Sequence, residues 1–115
     1  GDGSLSGRRV VYRVDPELGV PDGMTVDAKG DLYVAVWGGW CVLHLTEAGE
    51  LIEKIPLPAA CVSSCCFGGP ELDTLFVTTA GGVSDDPAQP HAGSVFRFQT
   101  NTRGQAPTKF DDSRM

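Results

Sequence analysis

The sequence predicts an all-β fold, a partial β-propeller of about two and a half four-stranded blades, and three observations carry that prediction. Fifteen Gly and eight Pro in 115 residues punctuate the chain too often for long helices but suit short strands joined by tight turns. Every apolar segment is short and alternates with period two, and none has helical periodicity. A pattern also repeats. LYVA at 32–35 returns as LFVT at 75–78, an offset of 43 residues, and each copy is followed by a Gly-containing turn and an apolar-basic-apolar strand, VLHL at 42–45 and VFRF at 95–98. About forty residues is the period of a four-stranded propeller blade. On length alone a β-sandwich of seven or eight strands competes with this reading; the two aligned copies favour blades.

Taken in order, the expected strands are 9–14 (RVVYRV), 24–27 (MTVD), 31–37 (DLYVAVW), 41–45 (CVLHL), 50–55 (ELIEKI), 64–67 (SCCF), 74–79 (TLFVTT) and 94–99 (SVFRFQ). Turn residues bound each of them. The expected organisation is the end of one blade at 1–15, a blade at 16–58, a second blade at 59–110 with a long surface loop at 81–93 rich in Gly, Pro and Asp, and a tail at 111–115. A blade buries its faces against neighbours, so open faces are expected to be covered by oligomerisation.

Composition narrows the function. A hydrophobic content of 41% is that of a globular domain, and a net charge of −6 offers no basic footprint, so neither nucleic acid nor an anionic membrane is an expected partner. No run approaches the length of a membrane span, and no signal peptide is visible. Residue 1 is Gly, so the true start is expected upstream. Cys41, Cys61, Cys65 and Cys66 lack the paired spacing of a zinc site. Cys65 and Cys66 are neighbours on one strand and should point to opposite faces, one of them buried. Free thiols suggest a cytoplasmic location.

PDGMTVDAKGDLYVAVWGG at 21–39 resembles the gluconolactonase, regucalcin (senescence marker protein) and luciferin-regenerating enzyme family. Three further segments fit in order: LSGRRVVYRVD at 5–15, IPLPAACVSSCCFGGPELDTLFVTTA at 55–80 and HAGSVFRF at 91–98. The resemblance implies a six-bladed propeller with a divalent cation on its axis, calcium or zinc, with magnesium or manganese as further candidates, that hydrolyses a sugar lactone or related cyclic ester. It covers only the C-terminal part of such a protein. The Glu and Asn that the family adds to the metal site belong to the part not matched.

One functional position carries over, Asp22 of PDGMTVD, which the resemblance makes a metal ligand and the catalytic base. The bland alternative is an Asp-Gly turn whose carboxylate caps backbone amides. Alone, Asp22 should hold a cation weakly. Asp27 and Asp31 flank a Lys-Gly turn, and their spacing suggests either a second cation site or, preferably, a hairpin with solvated acids. Asp85 and Asp86 should be exposed in the long loop. Trp40 and Cys41 stand where the family commonly has Gly-Arg, which puts Trp40 at an exposed turn or blade edge. His44 and His91 have no catalytic counterpart in the family and are expected to be solvated. Two functions follow: part of a metal-dependent sugar lactonase, or a catalytically incomplete propeller that self-associates as a binding or structural module.

Overall fold

The computed structural model describes residues 7–81 and 87–106. They form seven strands in chain order: β1 (Val20–Val26), β2 (Leu32–Trp37), β3 (Cys41–Leu45), β4 (Leu51–Pro56), β5 (Val62–Gly68), β6 (Thr74–Thr79) and β7 (Val95–Gln99). The first four make one antiparallel sheet in sequential order, and β5-β6-β7 make a second. The two copies of the repeat fall on β2 and β6, the second strand of each sheet, and the strands that follow them, β3 and β7, are the third.

The turns explain why the strands stop where they do. After β1, the Asp27 carbonyl accepts from Gly30 N–H at 3.1 Å, and Gly30 takes a φ of 93°, which a glycine adopts at little cost. After β3, the Thr46 carbonyl accepts from Gly49 N–H at 2.9 Å, and Gly49 has a φ of 91°. Between β2 and β3 the chain reverses over Gly38–Trp40, and Trp40 itself adopts a φ of 60° at a partly exposed turn.

Alternation then sorts the side chains into two cores. Tyr33 and Ala35 of β2 and Val42 of β3 face the second sheet, where Val62, Cys65, Leu75 and Val77 meet them, with Phe67, Phe96 and Phe98 at the margin. Val34, Val36, Cys41, Leu43 and Leu45 face the other way and pack against Val14 and Leu18. The first sheet is therefore apolar on both faces, and β2 and β3 read as almost continuous hydrophobic runs for that reason. Each fully buried Leu or Val contributes about 1.5–3 kcal/mol.

The expected strand at 9–14 is not one. Among the described residues its backbone has no ladder partner, and it lies across the sheet, with the Val11 carbonyl against Gly49. Of its apolar residues Val14 still packs against the core, while Val10 and Tyr12 stay exposed. Val10, Val11, Tyr12 and Val14 line one side of a groove of about 280 Å³ whose other side is Pro21, Met24, Leu32, Val34 and Leu45. Of the long loop, residues 87–93 form turns, and 82–86, with Asp85 and Asp86, lie outside the described residues. All four cysteines are free; Cys65 is buried and Cys66 exposed, as their adjacency on β5 requires.

Candidate functional site

Asp22 lies on β1 and not in a turn. The β1–β2 register pairs Pro21 with Val36 and then jumps to Met24 with Val34, so Asp22 and Gly23 form a bulge in the strand. A bulge bends a strand and re-aims a side chain, and such features concentrate beside active sites. The glycine is required by its neighbour: a Cβ on Gly23 would lie 2.6 Å from the Ser64 Cβ and 2.9 Å from its Cα. Strand β5 of the second sheet therefore crosses directly behind the bulge, which leaves Asp22 exposed on the open side. No hydrogen bond or ion pair among the described residues engages its carboxylate, so the turn-capping alternative does not hold.

The other end of the first sheet collects the remaining titratable groups. The antiparallel register sets Val26 beside Leu32, and Tyr33 beside His44, which in turn pairs with Glu53. Asp27 is fully buried. Its Oδ1 accepts from Lys29 N–H at 2.8 Å and Asp31 N–H at 3.0 Å, and its Oδ2 accepts from the Thr102 hydroxyl at 3.1 Å. Its carbonyl takes the Gln105 amide at 3.2 Å. The acids of this hairpin are thus not solvated, which corrects the expectation from spacing: residues 102–105 return across the chain and seal Asp27.

His44 is a second correction. Its side chain is 12% exposed, stacks on Tyr33 at 4.2 Å between ring centroids, and places Nε2 3.0 Å from Asp31 Oδ2. On its other side Nδ1 lies 3.5 Å from Glu53 Oε1 and makes no hydrogen bond. Burial first, and then the carboxylates of Asp27, Asp31 and Glu53, hold the Tyr33 phenol well above its usual range. One carboxylate oxygen from Asp27, one from Asp31 and a ring nitrogen of His44 all lie within 4.8 Å of one another. Among the described residues this is the one group of three His, Cys, Asp or Glu donors close enough to hold a metal ion, and Asp22 is not in it. His91 is exposed, as expected.

A pocket of about 530 Å³ opens beside this cluster, with Tyr33, His44, Glu53 and Ile55 on the first sheet and Phe98 to Asn101 on the second. Sequence reading missed it because its walls come from both sheets. Asp22 on β1 and Asp27, one residue past its end, are five residues apart, which is about 16 Å at strand rise.

The chain is similar to several known proteins. A family model described as the SMP-30/Gluconolactonase/LRE-like region matches residues 1–81. Regucalcin of Xenopus laevis is 38% identical over 113 residues, spanning 94% of this chain and 38% of the relative. The Bacillus subtilis (strain 168) protein named "Putative sugar lactone lactonase YvrE" is 42% identical over 112 residues, again 94% of this chain and 38% of the relative. Among solved structures, a calcium-binding regucalcin from Agrobacterium tumefaciens superposes with a TM-score of 0.77 at 28% identity, covering 84% of this chain and 34% of the other. A luciferin-regenerating enzyme superposes with a TM-score of 0.67 at 33% identity, covering 78% and 32%. The chain therefore spans little more than a third of the relatives it matches.

Proposed function

The chain belongs to the SMP-30/gluconolactonase/LRE-like family, and from that premise we propose that it is part of a divalent-metal-dependent sugar lactonase in which Asp22 is the metal ligand and proton acceptor. The observation that carries this reading is the uncommitted Asp22 carboxylate, presented on a strand bulge whose glycine is packed against the next sheet. Asp22 fits a hard divalent ion as one oxygen ligand; calcium takes six to eight, so the others come from elsewhere in an assembled site. The bound ion would polarise the lactone carbonyl and acidify a water. Asp22 contributes the carboxylate that anchors the ion and takes the water's proton, and the rigid bulge keeps it aimed.

The two sheets are read as adjacent blades of a six-bladed ring, the first complete and the second lacking its fourth strand among the described residues. The free thiols support a cytoplasmic location. No helix among the described residues is long and apolar enough to cross a membrane.

A second reading, a self-associating module without catalysis, is favoured by the apolar groove of Val10 to Val14 against Met24 and Val34, with Val10, Val20 and Met24 more than half exposed. Light scattering on the purified chain, with metal content measured on the same peak, separates the two. An oligomer carrying stoichiometric divalent ion, and gluconolactone hydrolysis lost in Asp22→Ala, support the lactonase. Undiminished hydrolysis in that variant refutes the role of Asp22, and an oligomer with neither metal nor activity supports the module.

A further inference from the structure

We propose that Asp27, Asp31 and His44 form a second cation site, separate from Asp22 and selective for a divalent transition ion such as zinc. Donor chemistry sets the class of ion. Two carboxylates and an imidazole suit zinc, whereas calcium takes oxygens only. Geometry is close to what zinc needs: two ligands on one tetrahedral zinc sit about 3.4 Å apart, and here His44 Nε2 and Asp31 Oδ2 are 3.0 Å apart with Asp27 within 4.8 Å of both. Asp27 Oδ2 accepts the Thr102 hydroxyl at 3.1 Å and the Tyr33 phenol also hydrogen-bonds this carboxylate, so an ion on Asp27 would take the place of one of these donors.

The orphaned nitrogen of His44 is an independent pointer. Without an ion, Nε2 is shared with Asp31 while Nδ1 is buried and unpaired, its nearest acceptor being Glu53 Oε1 at 3.5 Å. A metal on Nε2 places the ring proton on Nδ1, where it faces Glu53. That is the carboxylate–imidazole–metal order by which proteins fix a ligating histidine. Charge points the same way. Asp31 and Glu53 flank the His44 ring at 3.0 and 3.5 Å with an Asp27 oxygen within 4.8 Å, and the Lys29 ammonium that pairs with Asp31 does so at 4.0 Å with its side chain 65% exposed. Three protein ligands leave a fourth position for water, and of the three His44 lines the adjoining pocket.

The chain has two histidines, so imidazole nitrogen NMR of the full chain resolves the site directly. On titration with zinc chloride, His44 Nε2 should shift at stoichiometric metal with its proton on Nδ1, while exposed His91 stays still. Calcium chloride should move neither. Glu53→Gln should weaken zinc binding about tenfold or more, and Asp31→Asn, which conserves shape, should weaken it at least as much with unchanged circular dichroism. Asp22→Ala should leave the His44 response intact, which keeps this site distinguishable from the lactonase proposal. The inference is overturned if His44 stays silent up to millimolar zinc, if zinc is taken up through thiols with His44 unmoved, or if Asp31→Asn binds as tightly as the parent.

Discussion

Gly23→Ala tests the link between packing and the Asp22 site. The new methyl would fall on the Ser64 hydroxyl, 2.6 Å from the Ser64 Cβ and 2.9 Å from its Cα. The hydroxyl can rotate away, but the Cα belongs to the β5 backbone, so β1 and β5 must part by about half an ångström or more to restore ordinary contact. Overpacking of this kind costs about 1–3 kcal/mol, offset by about 0.4–1 kcal/mol from the stiffer unfolded chain. The midpoints of these two ranges give an expected net loss of about 1.3 kcal/mol. Urea unfolding followed by the fluorescence of Trp37 and Trp40 measures it. Ser64→Gly removes the hydroxyl and Cβ but not the Cα, so the double variant should recover part of the loss, with a coupling of about 0.5–1.5 kcal/mol. Parent-like stability in Gly23→Ala, or strict additivity in the double variant, would refute the reasoning.

Asp27→Ala should cost roughly 2–4 kcal/mol, since it strands the Lys29 and Asp31 amides and the Thr102 hydroxyl together; limited proteolysis should then cut near residue 105, and a parent-like digest would argue against the seal. Under native conditions Cys66 should react readily with a maleimide while Cys65, 5% exposed with its thiol pushed up to about 12 by burial and then by Cys66, stays unlabelled. The same burial sets an alkaline limit. The unfolded chain releases the Cys65 proton from about pH 9 and the folded chain holds it to about 12, so stability should fall across that window. One such group gives a slope of up to about 1.4 kcal/mol per pH unit, and Tyr33 adds to it in the same direction. Chemical denaturation between pH 8 and 11 checks this, and Cys65→Ala should flatten the curve.

The strands were legible where alternation is uninterrupted. β2, β3 and β6 lie within one residue of their expected bounds because each is a clean run between turns. β1 begins at Val20 and not Met24 because the bulge at Asp22–Gly23 breaks the period-two signal. Segment 9–14 alternates as well as any strand, yet alternation reports a face to bury and not a ladder partner. Asp22 was recognisable only through resemblance, since Asp-Gly is ordinary turn chemistry and the Ser64 backbone that demands the glycine is forty residues away. The burial of His44 and Asp27 is not legible in the sequence for a related reason. Their burial depends on Glu53, Tyr33 and Thr102, and no local pattern announces a partner 75 residues distant.

Blade-like repeats are expected to melt as a string of loosely coupled units, each touching only its neighbour. The return of residues 102–105 to Asp27 works against that independence. The Gly104 amide is held by the Leu72 carbonyl of the second sheet at 2.8 Å, while the Arg103 carbonyl accepts from Ala28 N–H of the first at 2.7 Å. Opening either sheet therefore exposes the same buried carboxylate, and the free-energy cost of that exposure is shared by both. The pair should behave as one foldon, with slow-exchanging amides in β2 and β6 opening together.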